Sequence, residues 1–239
     1  MALVAAETDV KADPRLIVPL DLPTVAQARA IVAELGEAVS FYKVGLELFA
    51  TGGGMDLAHA LKGQGKQVFL DWKLHDIGET VRRAAAVLAD SGCDFLTVHG
   101  EPQVMEAAVR GKGRSQLKIL AVTVLTSLSD GDLIEMGFAQ TARALVERRI
   151  HHAVAAGCDG VIASPQEAAM ARAIGGKDFL VVTPGVRPDW SAKNDQQRVA
   201  TPSDALRSGA SHIVCGRPIT AANHPQDAAR RVIAEMAGI

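Results

Sequence analysis

The chain has 239 residues, of which 48% are hydrophobic and only 4% aromatic, and its formal net charge is −2. This length suits one large α/β domain or two small ones. A nearly neutral chain without a cluster of lysine and arginine is not expected to attract nucleic acid. Any anionic ligand must therefore be captured by local groups and not by the overall electrostatic field.

The three cysteines, Cys93, Cys158 and Cys215, lie far apart, and none belongs to a C-x-x-C motif. We therefore expect neither a disulfide framework nor a zinc site, and interpret them as small apolar residues beside strands. No apolar run approaches the roughly 20 residues of a membrane span, and no basic region precedes an apolar core at the N-terminus. The expected setting is cytoplasmic, with no membrane partner.

Strand-like and helix-like stretches alternate along the chain after a polar tail at residues 1–14. The predicted strands are 15–21, 39–45, a third around Leu70, 92–99, 118–127, 159–164, 179–185 and 211–215. The predicted helices are 25–35, 55–61, 79–89, 102–109, a long helix ending near Gly157, 165–174, 203–208 and 225–236.

This alternation predicts a single α/β domain over residues 15–239. Strands that alternate with helices pair in parallel through right-handed crossovers, and eight such units predict a closed (β/α)8 TIM barrel. An open doubly wound sheet is the alternative. No G-x-G-x-x-G follows the first strand, which argues against a dinucleotide-binding version of that sheet.

The stretch 66–77 combines a buried strand with charged residues at its end. Side chains alternate between the two faces of a strand, so Asp71 and Lys73 are expected on the same face as Phe69. Charges are costly to bury unless they are paired, and such pairs are common at functional sites. A purely structural ion pair at the strand end is the alternative that this stretch leaves open.

Polar side chains stand at the predicted end of each strand, where the active sites of barrel enzymes lie. Four of them, Asp21, Lys43, Asp71 and Lys73, are charges of alternating sign on the first three strands. The other strand ends carry His99, Thr126, Ser127 and Ser164. Convergence of four charges at one rim favours a functional site over a structural ion network.

The loops after the seventh and eighth predicted strands carry Gly185, Arg187, Gly216 and Arg217. These loops are the usual phosphate site of the barrel fold. Glycine lets backbone amides approach a phosphate, and arginine supplies a charged fork. We predict a phosphorylated small-molecule substrate; the alternative is that these glycines only turn the chain and these arginines face solvent.

The remaining polar residues give weaker signals. His75 could support the strand end or take part in chemistry, and His151 and His152 are expected at the surface of a helix. No histidine or carboxylate grouping has metal-ligand spacing, so no metal is predicted, although a carboxylate-rich rim could hold magnesium. A lysine Schiff base is disfavoured because flanking carboxylates keep lysine protonated.

The sequence resembles the orotidine 5′-monophosphate decarboxylase family over nearly its whole length. The matching segments are 20–21, 41–45, 122–127, 183–188, 195–196, 216–218 and the D-x-K-x-x-D motif formed by Asp71, Lys73 and Asp76. That motif is shared with relatives acting on sugar phosphates. The segment 183–188, followed by Asp195 and Gln196, points to the pyrimidine nucleotide enzyme.

The resemblance implies a role for each matching residue. Lys43, Asp71, Lys73 and Asp76 would form the catalytic array, with Lys73 protonating C6 beside Asp71. The substrate-binding residues implied are Asp21, Lys43, Thr80, Thr126, Ser127, Arg187, Gln196, Gly216 and Arg217. Asp21 and Lys43 would hold the ribose, Ser127 the pyrimidine, and Gln196, Arg217 and the Gly216 backbone the phosphate.

The resemblance also implies a homodimer that needs neither a cofactor nor a metal. Asp76 and Thr80 would complete the partner's site, and the loop at about 187–197 would close over the phosphate. Two alternatives remain: a magnesium-dependent sugar-phosphate enzyme with the same D-x-K-x-x-D motif, and a catalytically silent nucleotide-binding barrel.

Overall fold

The computed structural model describes residues 11–191 and 200–238, and these form a closed barrel of eight parallel strands in sequential order. The strands are β1 (Leu16–Pro19), β2 (Phe41–Gly45), β3 (Gln67–Leu74), β4 (Phe95–His99), β5 (Lys118–Val122), β6 (Gly160–Ile162), β7 (Leu180–Thr183) and β8 (His212–Val214). Pairing of β8 with β1 closes the sheet. The (β/α)8 prediction is confirmed.

Helices connect the strands and cover the outside of the barrel. They are α1 (Val25–Leu35), α2 (Leu46–Ala50), α3 (Gly54–Gly63), α4 (Gly78–Ala89), α5 (Pro102–Lys112), α6 (Asp130–Glu135), α7 (Ala142–Ala156), α8 (Ala168–Gly175), α9 (Pro202–Arg207), α10 (Arg217–Thr220) and α11 (Pro225–Ala237). Within the described ranges, none of them is both long and apolar enough to cross a membrane.

The alternation of side chains along each strand builds two apolar layers. The interior of the barrel is filled by Ile17, Phe41, Phe69, Phe95, Leu120, Val182 and Val214. The opposite face of each strand contributes residues such as Val18, Tyr42 and Leu70 to the larger core beneath the helices. Two positions beyond Phe41 and Phe69, on the same inner face, stand Lys43 and Asp71. The strand pattern thus places charges directly above an apolar plug.

Three predicted elements differ clearly from the structure, and the short helices α2 and α10 were not predicted. The fifth strand ends at Val122 and not at residue 127, because its partner β6 is only three residues long and pairing stops there. The predicted long helix before Gly157 is two helices, α6 and α7. Helix α5 continues through Gly111 and ends at Lys112; Gly113, with a positive φ of 55°, follows as its C-cap.

The three cysteines are buried, as expected for small apolar residues. Cys93 and Cys158 each precede an aspartate that caps the start of a neighbouring strand. Asp94 accepts a hydrogen bond from the Val68 amide at 2.7 Å, and Asp159 accepts one from the Ile119 amide at 2.9 Å. These two contacts hold the amino-terminal ends of β3 and β5, at the end of the barrel opposite the carboxyl ends of the strands.

Candidate active site

A cleft of about 350 Å³ opens at the carboxyl ends of the strands. Its lining comes from strands β1, β2 and β3 on one side and from the segments after β7 and β8 on the other. The lining residues are Pro19, Asp21, Lys43, Asp71, Pro184, Gly185, Arg187, Val214, Gly216, Arg217 and Thr220. The volume is in the range of small-molecule sites.

Four charged side chains form a continuous row; the first three line one side of this cleft, and the fourth, Lys73, extends the row beyond the lining. Lys43 Nζ lies 3.0 Å from Asp21 Oδ1 and 3.2 Å from Asp71 Oδ2. Lys73 Nζ lies 2.9 Å from Asp71 Oδ1. The order is therefore Asp21, Lys43, Asp71, Lys73, with each carboxylate or ammonium next to groups of opposite charge. Only Asp21 is substantially exposed, with half of its side-chain surface in solvent.

The central carboxylate, Asp71, is held in place by a threonine on the next strand. Thr97 Oγ1 donates to Asp71 Oδ1 at 2.9 Å and accepts the backbone N–H of Lys73 at 3.0 Å. Lys73 has φ 48°, the only positive φ of a non-glycine residue in the described part of the chain. The pairing of β3 with β4 shifts register between Leu70 and Leu74. Residues held in such uncommon conformations are concentrated at functional sites.

The charges in this row keep both Lys43 and Asp71 ionised despite their burial. Burial alone would raise the pKa of Asp71, but Lys43, Lys73 and the two hydrogen bonds to its carboxylate lower it below the usual value. Burial would lower the pKa of Lys43, but Asp71 and Asp21 raise it above the usual value. The site therefore presents the ionised Asp71 carboxylate beside the protonated Lys43 ammonium near neutral pH.

The other side of the cleft carries two arginines and two glycines. Arg187 is 7% exposed, and its backbone amide donates to Ala200 at 3.0 Å. Gly185 has φ 77°, which favours glycine at this turn. Gly216 precedes the short helix α10, in which Arg217 is the first residue. A Cβ on Gly216 would lie 2.9 Å from Pro19, so only glycine fits without displacement.

The other predicted site residues lie outside the lining of this cleft. Asp76 and Thr80 are exposed, and the Asp76 carboxylate accepts the backbone N–H of Ile77 at 2.6 Å. Thr126 and Ser127 lie in the loop after β5; Thr126 is half-buried and Ser127 is exposed. Gln196 and most of the predicted closing loop belong to residues 192–199, outside the described residues.

The structure also assembles a cluster that sequence spacing did not predict. His75, His99 and Glu101 meet beside the charged row, and Arg149 pairs with Glu101 at 2.8 Å. The two imidazole rings are stacked, with centroids 4.4 Å apart and planes at 19°. Burial lowers the pKa of His99, and the positive charge of Arg149 and Lys73 acts in the same direction, against Glu101. The pairing of β3 with β4 in the predicted barrel is the feature from which the proximity of these residues could have been predicted.

Comparison with known proteins gives one consistent result. Residues 14–232 match the model of the "Orotidine 5'-phosphate decarboxylase / HUMPS family". The orotidine 5′-phosphate decarboxylase of Caulobacter sp. (strain K31) is 72% identical over 95% of this chain and 99% of its own, and that of Rhodopseudomonas palustris (strain BisA53) is 51% identical over 96% and 97%.

A solved structure agrees with these sequence matches. The crystal structure of orotidine 5′-phosphate decarboxylase from Lactobacillus acidophilus superposes with a TM-score of 0.82 at 40% identity. That similarity covers 94% of this chain and 99% of the other. Sequence and fold thus point to the same group of proteins.

Proposed function

The chain belongs to the orotidine 5′-phosphate decarboxylase / HUMPS family, and from this premise we propose a cofactor-free decarboxylase in which Lys73 protonates C6 of the substrate beside Asp71. The overall reaction is the decarboxylation of orotidine 5′-phosphate in pyrimidine biosynthesis, which yields UMP and CO2. What we propose is the role of each residue in this reaction.

The observation that carries the proposal is the row Asp21–Lys43–Asp71–Lys73. Its first three members face the basic side of one cleft, and Lys73 is paired with Asp71 at its end. A nucleotide monophosphate has a dianionic end and a polar base separated by a ribose. Arg187, Arg217 and the backbone at Gly216 would bind the phosphate. The base would then lie toward Lys73, with the ribose between them.

Lys73 is suited to the chemical step. Loss of CO2 from orotate leaves the electron pair of the broken bond on C6, where no ring group delocalises it. An ammonium group fixed at that carbon stabilises the developing negative charge and then transfers its proton to C6. The products are CO2 and UMP, and Lys73 regains its proton from solvent.

Asp71 would keep the ammonium of Lys73 aimed at C6 while standing next to the substrate carboxylate. Two like charges in contact disfavour the bound ground state, and departure of neutral CO2 removes that repulsion. Thr97 serves as a positioning residue because it fixes both the Asp71 carboxylate and the Lys73 backbone. Asp21 and Lys43 would hold the ribose hydroxyls, which adds remote binding energy to the reacting centre.

Three further residues are proposed to contact the substrate from loops. Ser127, with Thr126 next to it, would bind the pyrimidine edge, and Gln196 would bind the phosphate. The segment at about 187–197 would close over the phosphate and exclude water.

A homodimer is proposed because Asp76 and Thr80 are exposed while the family resemblance gives them catalytic and ribose-binding roles. Exposed apolar side chains surround the same rim: Ile77 is 71% exposed, and Leu46 and Phe49 are each 51% exposed. Burial of such residues stabilises association. In this dimer Asp76 and Thr80 would enter the partner's cleft. We further propose that the enzyme acts in the cytoplasm.

The test is the ultraviolet absorbance of orotidine 5′-phosphate incubated with purified, EDTA-treated protein. Loss of the orotate band with formation of UMP supports a metal-independent decarboxylase. The Lys73→Ala variant, assayed in parallel, excludes a contaminating activity. An unchanged spectrum, followed by turnover of a 3-keto sugar phosphate after magnesium is restored, would replace this proposal with the sugar-phosphate reaction.

A further inference from the structure

Two imidazoles and a carboxylate converge at the mouth of the barrel, outside the charged row. His75 follows the end of β3, His99 is the last residue of β4, and Glu101 is the N-cap residue of α5. The carboxyl ends of adjacent parallel strands meet at one edge, so residues 24 and 26 positions apart in sequence become neighbours. One nitrogen of each ring and one carboxylate oxygen all lie within 4.8 Å of one another.

The distances suit a common central ion. His75 Nε2 and His99 Nδ1 each lie 3.7 Å from the same atom, Glu101 Oε2. Two ligands at about 2.0–2.1 Å from a tetrahedral zinc ion are roughly 3.4 Å apart. A closing movement of about 0.3 Å would bring each nitrogen–oxygen pair to this spacing. The His75 ring must also rotate out of its stack with His99 so that both nitrogens point to the same ion, and with 55% of its side chain exposed it has room to do so.

The carboxylate is already oriented for this purpose. Arg149 Nη2 binds Glu101 Oε1 at 2.8 Å, and Arg149 Nη1 also donates to the Thr123 carbonyl. The other oxygen, Oε2, is buried and accepts no hydrogen bond from the described residues. Buried carboxylate oxygens nearly always have a partner, and outer-sphere hydrogen bonds commonly orient metal ligands. Oε2 points to the space shared by the two imidazoles.

We propose that His75, His99 and Glu101 bind one divalent transition-metal ion of the zinc class at the rim of the barrel. Two nitrogens and one oxygen are a ligand set found in zinc sites with an open fourth position, whereas magnesium and calcium prefer oxygen ligands only. This site is separate from the Asp21–Lys73 row and takes no part in the decarboxylation. The proposal therefore does not depend on the proposed function.

The test uses the full-length, EDTA-treated protein and two probes, Zn²⁺ and Co²⁺. Calorimetry with Zn²⁺ alone should give one saturable site per chain, and Co²⁺ should give visible bands typical of low coordination number. His99→Asn and Glu101→Gln should each weaken Zn²⁺ binding at least about tenfold, since each removes a ligand. Circular dichroism in EDTA verifies that the variants fold, and His75→Asn replaces His99→Asn if that variant does not.

The control is His151→Asn, which removes an exposed imidazole from α7, away from the cluster. Its Zn²⁺ affinity should equal that of the unmodified protein. Binding that is absent, unaffected by His99→Asn and Glu101→Gln, or equally weakened by His151→Asn would overturn the site. In that case Glu101 would be no more than an ion-pair partner of Arg149.

Discussion

The ammonium group of Lys73 lies 2.9 Å from Asp71 Oδ1. The two residues are two positions apart at the irregular end of β3. In a regular strand both side chains would extend from the same face in parallel. The positive φ of Lys73 and the register shift after Leu70 change that course. We interpret this uncommon backbone conformation as the feature that brings the Lys73 ammonium against the Asp71 carboxylate.

Removal of the Lys73 ammonium should abolish turnover but leave nucleotide binding. We expect Lys73→Ala to lower kcat by more than about 10⁴-fold, because proton donation and charge stabilisation are lost together. The Kd for UMP, measured by calorimetry, should change far less. Lys177→Ala, at an exposed turn, is the matched control and should retain full activity. Near-normal kcat in Lys73→Ala would exclude this lysine as the proton donor.

A methyl group added at Gly45 should disrupt the contact between Asp21 and Lys43, at the end of the charged row opposite Lys73. An added Cβ would lie 2.5 Å from Asp21 Oδ1 and 3.1 Å from Lys43 Nζ, so one side chain must move. We expect Gly45→Ala to fold normally but to lower kcat/KM by at least about tenfold, which corresponds to roughly 1.4 kcal/mol of transition-state stabilisation.

Gly63→Ala is the control for that substitution. A Cβ at Gly63 would meet nothing within 4 Å, so activity and stability should be unchanged. If Gly45→Ala keeps the full kcat/KM, the Asp21–Lys43 contact does not contribute to binding or catalysis.

Sequence reasoning was most successful where one physical rule governs the outcome. Strand–helix alternation predicts the barrel, and side-chain alternation places Lys43 and Asp71 on the inner face. It could not predict the φ of Lys73, because that depends on the hydrogen bond from its amide to Thr97 on another strand. For the same reason it missed the cluster around Glu101, whose members become neighbours only through pairing of β3 with β4.

Acid should destabilise the protein through a buried histidine at the other end of the barrel. His212 packs edge-on against Phe41 and Phe95, and burial lowers its pKa to about 4 from 6.5. The unfolded chain therefore binds the additional proton between those values. This contribution is complete above pH 6.5, is lost as pH falls toward 4, and amounts to roughly 2 kcal/mol between pH 7 and 4.5.

Urea unfolding at several pH values measures this effect. His212→Leu should show a smaller decrease in the free energy of unfolding between pH 7 and 4.5 than the unmodified protein. His59→Leu, at an exposed position of α3, should follow the unmodified protein. Parallel curves for His212→Leu and the unmodified protein would place the acid sensitivity elsewhere.

The aspartate that follows Cys158 should matter for stability and not for catalysis. Asp159 accepts the Ile119 amide at 2.9 Å and pairs with Lys112 at 2.5 Å. Asp159→Ala would leave both donors without this acceptor, at a cost of roughly 2–3 kcal/mol in the free energy of unfolding. Asp178→Ala, in an exposed turn, is the control, and kcat of folded Asp159→Ala at low temperature should be unchanged.

The shared active site can be tested by mixing two inactive variants. If Asp76 acts in the partner's site, a dimer of one Lys73→Ala chain and one Asp76→Ala chain contains one fully intact site. Random reassembly of equal amounts should therefore restore roughly one quarter of full activity, because half of the dimers are mixed and each has one working site of two.

The control mixture, Lys73→Ala with Asp71→Asn, places one defect in each site and should restore nothing. Mass spectrometry of the intact assemblies measures the fraction of mixed dimers. Mixed dimers without recovered activity, or a protein that remains monomeric while active, would show that Asp76 does not serve the neighbouring site.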